Sequence, residues 1–132
     1  MTDGTIVFVV DDDLSARTGL VRLLRAAGYE VRSFASANEF LSALDPEPSG
    51  CLVLDARMPG LSGKELMAEL KVRDVHLPVI MVTAEDDPVA RKIAQVMKAA
   101  GFFRKPVDGT ALLDAIDWAL RSTRNSDSSN SG

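Results

Sequence analysis

The sequence contains few of the residue types that would indicate a secreted or membrane protein. Its single cysteine among 132 residues, Cys51, cannot form a disulfide within the chain. Aromatic residues make up only 5% of the chain, so aliphatic side chains must fill the core. No apolar run approaches the ~20 residues of a membrane-spanning helix, and no secretory signal peptide opens the chain. We therefore expect a soluble, cytoplasmic protein of a reducing compartment.

The charge balance makes two common kinds of main partner less favourable. Acidic residues outnumber basic ones by 19 to 15, which gives a formal net charge of −4. This charge argues against a nucleic acid or a membrane surface as the main partner. Hydrophobic content of 46% and a length of 132 residues are typical of one globular domain with a real core.

Short apolar segments alternate with segments of helical periodicity along the chain. This alternation predicts a parallel sheet covered by helices on both faces, although periodicity alone does not give the strand order. The predicted strands are 6–10, 29–34, 51–55, 78–82 and 102–104, and the predicted helices are 14–27, 36–44, 62–71, 88–100 and 109–121.

The last residues of the chain differ in composition from the rest. Residues 122–132 are rich in Ser and Asn and almost lack apolar side chains, which predicts a disordered tail or linker. Residues 1–121 therefore form the predicted domain.

Polar residues able to handle phosphate or metal lie at the ends of four predicted strands. The first strand runs into Asp11 and Asp12, the third ends at Asp55, and Thr83 and Lys105 follow the fourth and fifth. Each alone has an ordinary explanation, since Asp often starts a turn and Lys is usually exposed. Because the carboxyl ends of parallel strands share one edge of a sheet, their joint placement predicts a single site.

These residue types suit phosphoryl chemistry assisted by a metal. Close carboxylates repel one another and favour a hard divalent cation such as Mg²⁺, which prefers oxygen ligands. A carboxylate is also a nucleophile that can form an aspartyl-phosphate. Lys105 would supply positive charge to the phosphoryl oxygens, and the Thr83 hydroxyl would donate a hydrogen bond to one of them.

At these positions the chain resembles the receiver domain of bacterial two-component response regulators, most closely the nitrogen-fixation and LuxR-type regulators. The resemblance spans about residues 5–121. The motifs that carry it are VVDDD at 9–13, LDARMPGLSG at 54–63, VTA at 82–84 and FFRKP at 102–106.

The resemblance implies both a fold and a phosphorylation site. The fold would be flavodoxin-like α/β, a doubly wound five-stranded parallel sheet of order 2-1-3-4-5 with five helices. Asp55 would accept a phosphoryl group from a histidine kinase or a phosphotransfer protein. Asp11, Asp12, Asp55 and the main-chain carbonyl of Arg57 would hold Mg²⁺.

The resemblance also implies how the phosphorylated state is read and how long it lasts. Thr83 and Lys105 would bind the phosphoryl group, and Phe102 matches an aromatic switch position. The face of the fourth helix and fifth strand would then control a partner, which is a second copy, an output domain or another protein. Arg57 and Glu85 flank the site, and we expect them to pair and slow loss of the phosphoryl group.

Two other functions compete with this interpretation. A haloacid-dehalogenase-type phosphatase also uses an aspartate nucleophile, Mg²⁺ and a lysine, but it would leave the segment 55–59 without a role. A degenerate receiver that only binds partners would not need the complete set of site residues. The favoured interpretation is a signalling domain rather than an enzyme, either standing alone or cut from a longer regulator with a DNA-binding output domain.

Overall fold

The computed structural model of the protein describes residues 5–56, 63–84 and 88–130, with side chains described as far as residue 122. Strands and helices alternate along these ranges. The elements are β1 Ile6–Val10, α1 Leu14–Ala26, β2 Val31–Phe34, α2 Ala37–Ala43, β3 Gly50–Asp55, α3 Gly63–Val72, β4 Val79–Thr83, α4 Pro88–Val96, β5 Gly101–Arg104 and α5 Gly109–Asn130. Within the described ranges, no helix has both the length and the apolar character needed to cross a bilayer.

The five strands form one parallel sheet in the order β2-β1-β3-β4-β5. This arrangement confirms the predicted flavodoxin-like fold. The chain leaves β1 in one direction along the sheet, towards β2, and leaves β3 in the other, towards β4. The loops that follow β1 and β3 therefore diverge, which opens a crevice at the carboxyl ends of these two neighbouring strands.

The core lies in two layers, one on each face of the sheet, because successive side chains of a strand point to opposite faces. On one face, alternate residues of β1 and β3 such as Val9 and Val53 pack against α1 and α5. On the other, Val10 and Leu54 pack against α2, α3 and α4. Cys51 belongs to the first layer, and its burial raises the pKa of the thiol to about 12, as expected of a structural thiol.

Two helix ends differ from the prediction. Helix α4 ends at Val96 rather than near residue 100, and Lys98 follows with a left-handed φ of 59°, which a helix cannot continue through. Helix α5 extends to Asn130, where the composition predicts a disordered tail. No Gly or Pro lies between residues 110 and 130, and lengthening an existing helix is easier than starting one. The division into residues 1–121 and 122–132 stays a prediction.

Candidate functional site

The last residues of the strands lie at one edge of the sheet. The β1–β2 pairing continues one residue past β1, because the Asp11 amide donates to the Phe34 carbonyl at 3.1 Å. Asp11 is therefore held at the sheet edge with 1% of its surface exposed. Asp55 ends β3 and is 6% exposed, while Thr83 ends β4 and is fully buried.

Three carboxylates come together in the crevice between β1 and β3. One oxygen each from Asp11, Asp12 and Asp55 lies within 4.8 Å of the others. Asp11 and Asp55 are buried, and Asp12 is exposed. This donor set fits a hard divalent cation that is bound by oxygen ligands and keeps part of its hydration shell towards solvent.

Lys105 bridges the two buried carboxylates. Its Nζ donates a hydrogen bond to Asp11 Oδ2 at 2.8 Å and lies 3.7 Å from Asp55 Oδ2. Burial acts to lower the pKa of Lys105, but the Asp11 hydrogen bond and the charges of Asp55, Asp11 and Asp13 together outweigh it and raise that pKa. Lys105 is thus a fixed positive charge beside the Asp55 carboxylate.

Arg17 of α1 holds the acidic loop and was not identified from the sequence. Its Nη1 donates to the main-chain oxygen of Asp11 at 2.7 Å, and its own amide donates to the main-chain oxygen of Asp13 at 2.9 Å. The available signal was its spacing, because a residue four positions after the N-cap Asp13 faces back towards the loop. An arginine so close to an acidic run is usually interpreted as a surface charge.

The Thr83 hydroxyl is buried without a hydrogen-bond partner among the described residues. A buried polar group left unsatisfied destabilises a protein by about 1–3 kcal/mol. Such a group is expected where a ligand supplies the missing partner. Thr83 lies next to Asp55 along the edge, because β3 and β4 are neighbours and Asp55 pairs in register with Val82.

We therefore expect Thr83→Val to stabilise the unphosphorylated protein. The valine keeps the shape of the side chain and removes the unsatisfied hydroxyl, which should raise the free energy of unfolding by about 1 kcal/mol. Urea titration measures this, with the exposed Thr110→Val as the control. A Thr83→Val protein less stable than wild type would show that the hydroxyl is satisfied in solution.

Phe102 lies beside α4, on the outer strand of the sheet. It pairs with Met81 of β4 and packs partly against the core layer beneath α2, α3 and α4. The guanidinium carbon of Arg91, from α4, lies 4.9 Å from the centre of the Phe102 ring. This cation–π contact connects α4 to β5 three residues before Lys105.

Two residues singled out from the sequence, Arg57 and Glu85, lie outside the described residues. The metal-binding role of the Arg57 carbonyl and the pairing of Arg57 with Glu85 therefore stay predictions. Among the other predicted site residues, the structure brings Asp11, Asp12, Asp55 and Lys105 together and places Thr83 at the same edge.

Comparison with known proteins identifies one family. Residues 7–117 match the model of the family described as the response regulator receiver domain. Nodulation protein W of Bradyrhizobium diazoefficiens is 43% identical over 111 residues, which are 84% of this chain and 49% of that protein. The transcriptional regulatory protein FixJ of Azorhizobium caulinodans is 40% identical over 120 residues, which are 91% of this chain and 57% of that protein.

A solved receiver structure is also similar to this chain in its fold. The crystal structure of FixJ-N superimposes with a TM-score of 0.84 at 33% identity, and the match covers 92% of this chain and 96% of that one. The chain spans about half the length of the curated relatives that it matches.

Proposed function

We infer that this chain, which belongs to the response regulator receiver domain family, is the phosphoacceptor domain of a two-component pathway. In that role the chain takes a phosphoryl group from a histidine kinase or a phosphotransfer protein onto Asp55. The observation that carries this proposal is the ion-paired group at one sheet edge, in which Lys105 contacts Asp11 and lies near Asp55. The Thr83 hydroxyl at the same edge, buried without a partner in the part of the chain that the structure describes, supports it.

In the proposed reaction, an Asp55 carboxylate oxygen attacks the phosphorus atom of the donor's phosphohistidine. The new bond joins that oxygen to phosphorus, and the phosphorus–nitrogen bond breaks with its electron pair left on the imidazole. Lys105 and Thr83 bind the phosphoryl oxygens through charge and a hydrogen bond. Mg²⁺, held by Asp11, Asp12, Asp55 and the Arg57 carbonyl, would neutralise the charge of the phosphoryl group.

The family is one of signalling domains, which fits a protein that modifies itself rather than turning over a separate substrate. Asp55 in this scheme is both the nucleophile and the stored product. The phosphatase alternative places the nucleophile at Asp11 instead. Both oxygens of the Asp11 carboxylate accept hydrogen bonds, one from the Asp13 amide and one from Lys105.

Asp12→Ala is expected to weaken Mg²⁺ binding about 10-fold or more, because it removes one of few protein ligands. Titration calorimetry or amide chemical shifts measure the affinity. Asp45→Ala, at an exposed acid outside the cluster, is the matched control and should bind like wild type. Equal affinity in Asp12→Ala and wild type would remove Asp12 from the metal site.

We propose that phosphorylation changes the face formed by α4 and β5. Thr83 moves towards the phosphoryl group, and Phe102 turns into the space that this movement leaves. Two large apolar side chains of α4, Val89 and Val96, are exposed. Exposed apolar groups of this kind suit a binding surface, and the change is a two-state population shift that alters its affinity for a second copy or another partner.

Beryllofluoride with Mg²⁺, which mimics an aspartyl-phosphate, is expected to shift the amide signals of α4 and β5 and to change the association state. Phe102→Leu should reduce this response, because it removes the ring that turns inward. Phe103→Leu is the control, since Phe103 lies on the same strand and packs against the opposite face. Unchanged α4 and β5 signals in wild type would contradict the switch.

The chain matches only about half the length of its curated relatives, which supports a proposal about the longer protein. The domain would act within a longer cytoplasmic regulator, in which a C-terminal DNA-binding output domain follows α5. The chain itself would not contact nucleic acid, because its formal net charge is −4.

A further inference from the structure

We propose that Arg17 is a positioning residue that fixes the acidic loop so that Asp12 faces Asp55, and that it thereby raises the affinity of the acidic cluster for Mg²⁺. This inference rests on the proposed function, since it concerns the same metal site. Arg17 is not a ligand, because its guanidinium is cationic. It acts through the main-chain oxygen of Asp11, the residue before Asp12.

The Arg17 side chain contacts the main chain directly before Asp12. Its guanidinium Nη1 donates to the main-chain oxygen of Asp11, the residue before Asp12, at 2.7 Å. Its amide also donates to the main-chain oxygen of Asp13 at 2.9 Å, but this is the ordinary backbone hydrogen bond of the first turn of α1, which any residue at position 17 would make. The contact with the Asp11 oxygen is therefore the one that depends on the arginine side chain.

The neighbours of Asp12 are also held through other atoms. The Asp13 amide donates to Asp11 Oδ1 at 2.9 Å, and Asp13 Oδ1 accepts from the Ser15 amide at 3.2 Å as the N-cap of α1. Among the described residues, the Arg17 guanidinium is the hydrogen-bond donor to the Asp11 carbonyl, which lies where β1 ends and the loop begins. Loss of this contact frees the peptide between Asp11 and Asp12 to rotate, and the Asp12 carboxylate is then no longer held towards Asp55.

Arg17 has a second, opposing effect on the metal site. Its positive charge repels a bound cation and so lowers the affinity. Arg17 is only half-buried, so water and salt screen this repulsion. Orientation of metal ligands by their outer hydrogen bonds is a larger effect, about 10-fold or more in affinity. The positioning effect therefore outweighs the repulsion.

The experiment compares Mg²⁺ affinity in four variants by titration calorimetry. Arg17→Met and Arg17→Gln lose the reach to the Asp11 carbonyl, and we expect each to bind Mg²⁺ about 10-fold more weakly than wild type. Arg17→Lys keeps a donor of similar reach and should restore most of the affinity. Arg22→Met, at an exposed arginine of the same helix, is the matched control and should bind like wild type.

The outcomes distinguish positioning of the loop by Arg17 from repulsion of the cation by its charge and from a failure of a variant to fold. Tighter Mg²⁺ binding in Arg17→Met and Arg17→Gln would show that repulsion dominates, and wild-type binding in both would show that the contact has no role; either result overturns the inference. Arg17→Gln is polar and helix-forming, so it decides the matter if Arg17→Met does not fold. Labelling of wild-type Asp55 by acetyl phosphate is measured in parallel, because its absence contradicts the proposed function and not the role of Arg17.

Discussion

Asp55→Asn is expected to take up no phosphoryl group from acetyl phosphate and Mg²⁺, whereas the wild-type protein becomes labelled. The carboxamide keeps the size of the side chain but is a far weaker nucleophile than a carboxylate. Asp55 lies at the end of the central strand β3, 6% exposed, and Lys105 Nζ lies 3.7 Å from its Oδ2. Intact-mass spectrometry shows the presence or absence of the added group.

The control for this experiment is Asp45→Asn, which changes an exposed acid away from the site and should be labelled like wild type. Peptide mapping of the wild-type protein then locates the group on Asp55. A group on Asp11 instead, retained in Asp55→Asn, would favour the phosphatase alternative.

Lys105→Met is expected to lower the free energy of unfolding by about 3 kcal/mol at neutral pH without Mg²⁺, because it leaves buried carboxylates without their cation. The side chains of Asp11 and Asp55 are 2% and 7% exposed, so water compensates little for the loss. Urea titration gives the change, and the exposed Lys71→Met is the control. Equal stability of Lys105→Met and wild type would show that the ion pairs add nothing.

The pH dependence of this difference follows from the raised pKa of Lys105. A lysine whose pKa is higher in the folded than in the unfolded state stabilises the fold fully below the unfolded value, about 10.4. The contribution is lost as the pH rises through the higher, folded value. The difference between wild type and Lys105→Met should therefore stay constant through neutral pH and shrink above about pH 10.4. A difference that already disappears near pH 8 would exclude Lys105 as its source.

The buried strands could be predicted from the sequence because each is a short apolar run with a sharp polar end. Residues 6–10 and 51–55 match β1 and β3 to within one residue. Helix ends were less predictable. Lys98 ends α4 through a left-handed conformation that lysine rarely adopts, so the residue type does not predict where the helix ends. Strand order came only from the resemblance, since hydrophobic periodicity does not record which strands are neighbours.

The sequence could predict that site residues at the ends of strands lie together, because their place along the chain determines their place in the sheet. Asp11, Asp55 and Lys105 follow strands directly, so a parallel sheet brings them to one edge. Arg17 was missed because the target of a long side chain depends on how its helix is rotated and how far it lies from the loop. The sequence also could not predict that the Thr83 hydroxyl lacks a hydrogen-bond partner among the residues described, because that depends on every surrounding atom.

The central claim is that Asp55 accepts a phosphoryl group that Lys105 and Thr83 then bind. A crystal structure of the protein with beryllofluoride and Mg²⁺ tests it most directly. We predict the beryllium atom on an Asp55 carboxylate oxygen, one fluorine contacting Lys105 Nζ and another accepting from the Thr83 hydroxyl. Beryllofluoride bound at Asp11, or Asp55 left unmodified at saturating beryllofluoride and Mg²⁺, would contradict the claim.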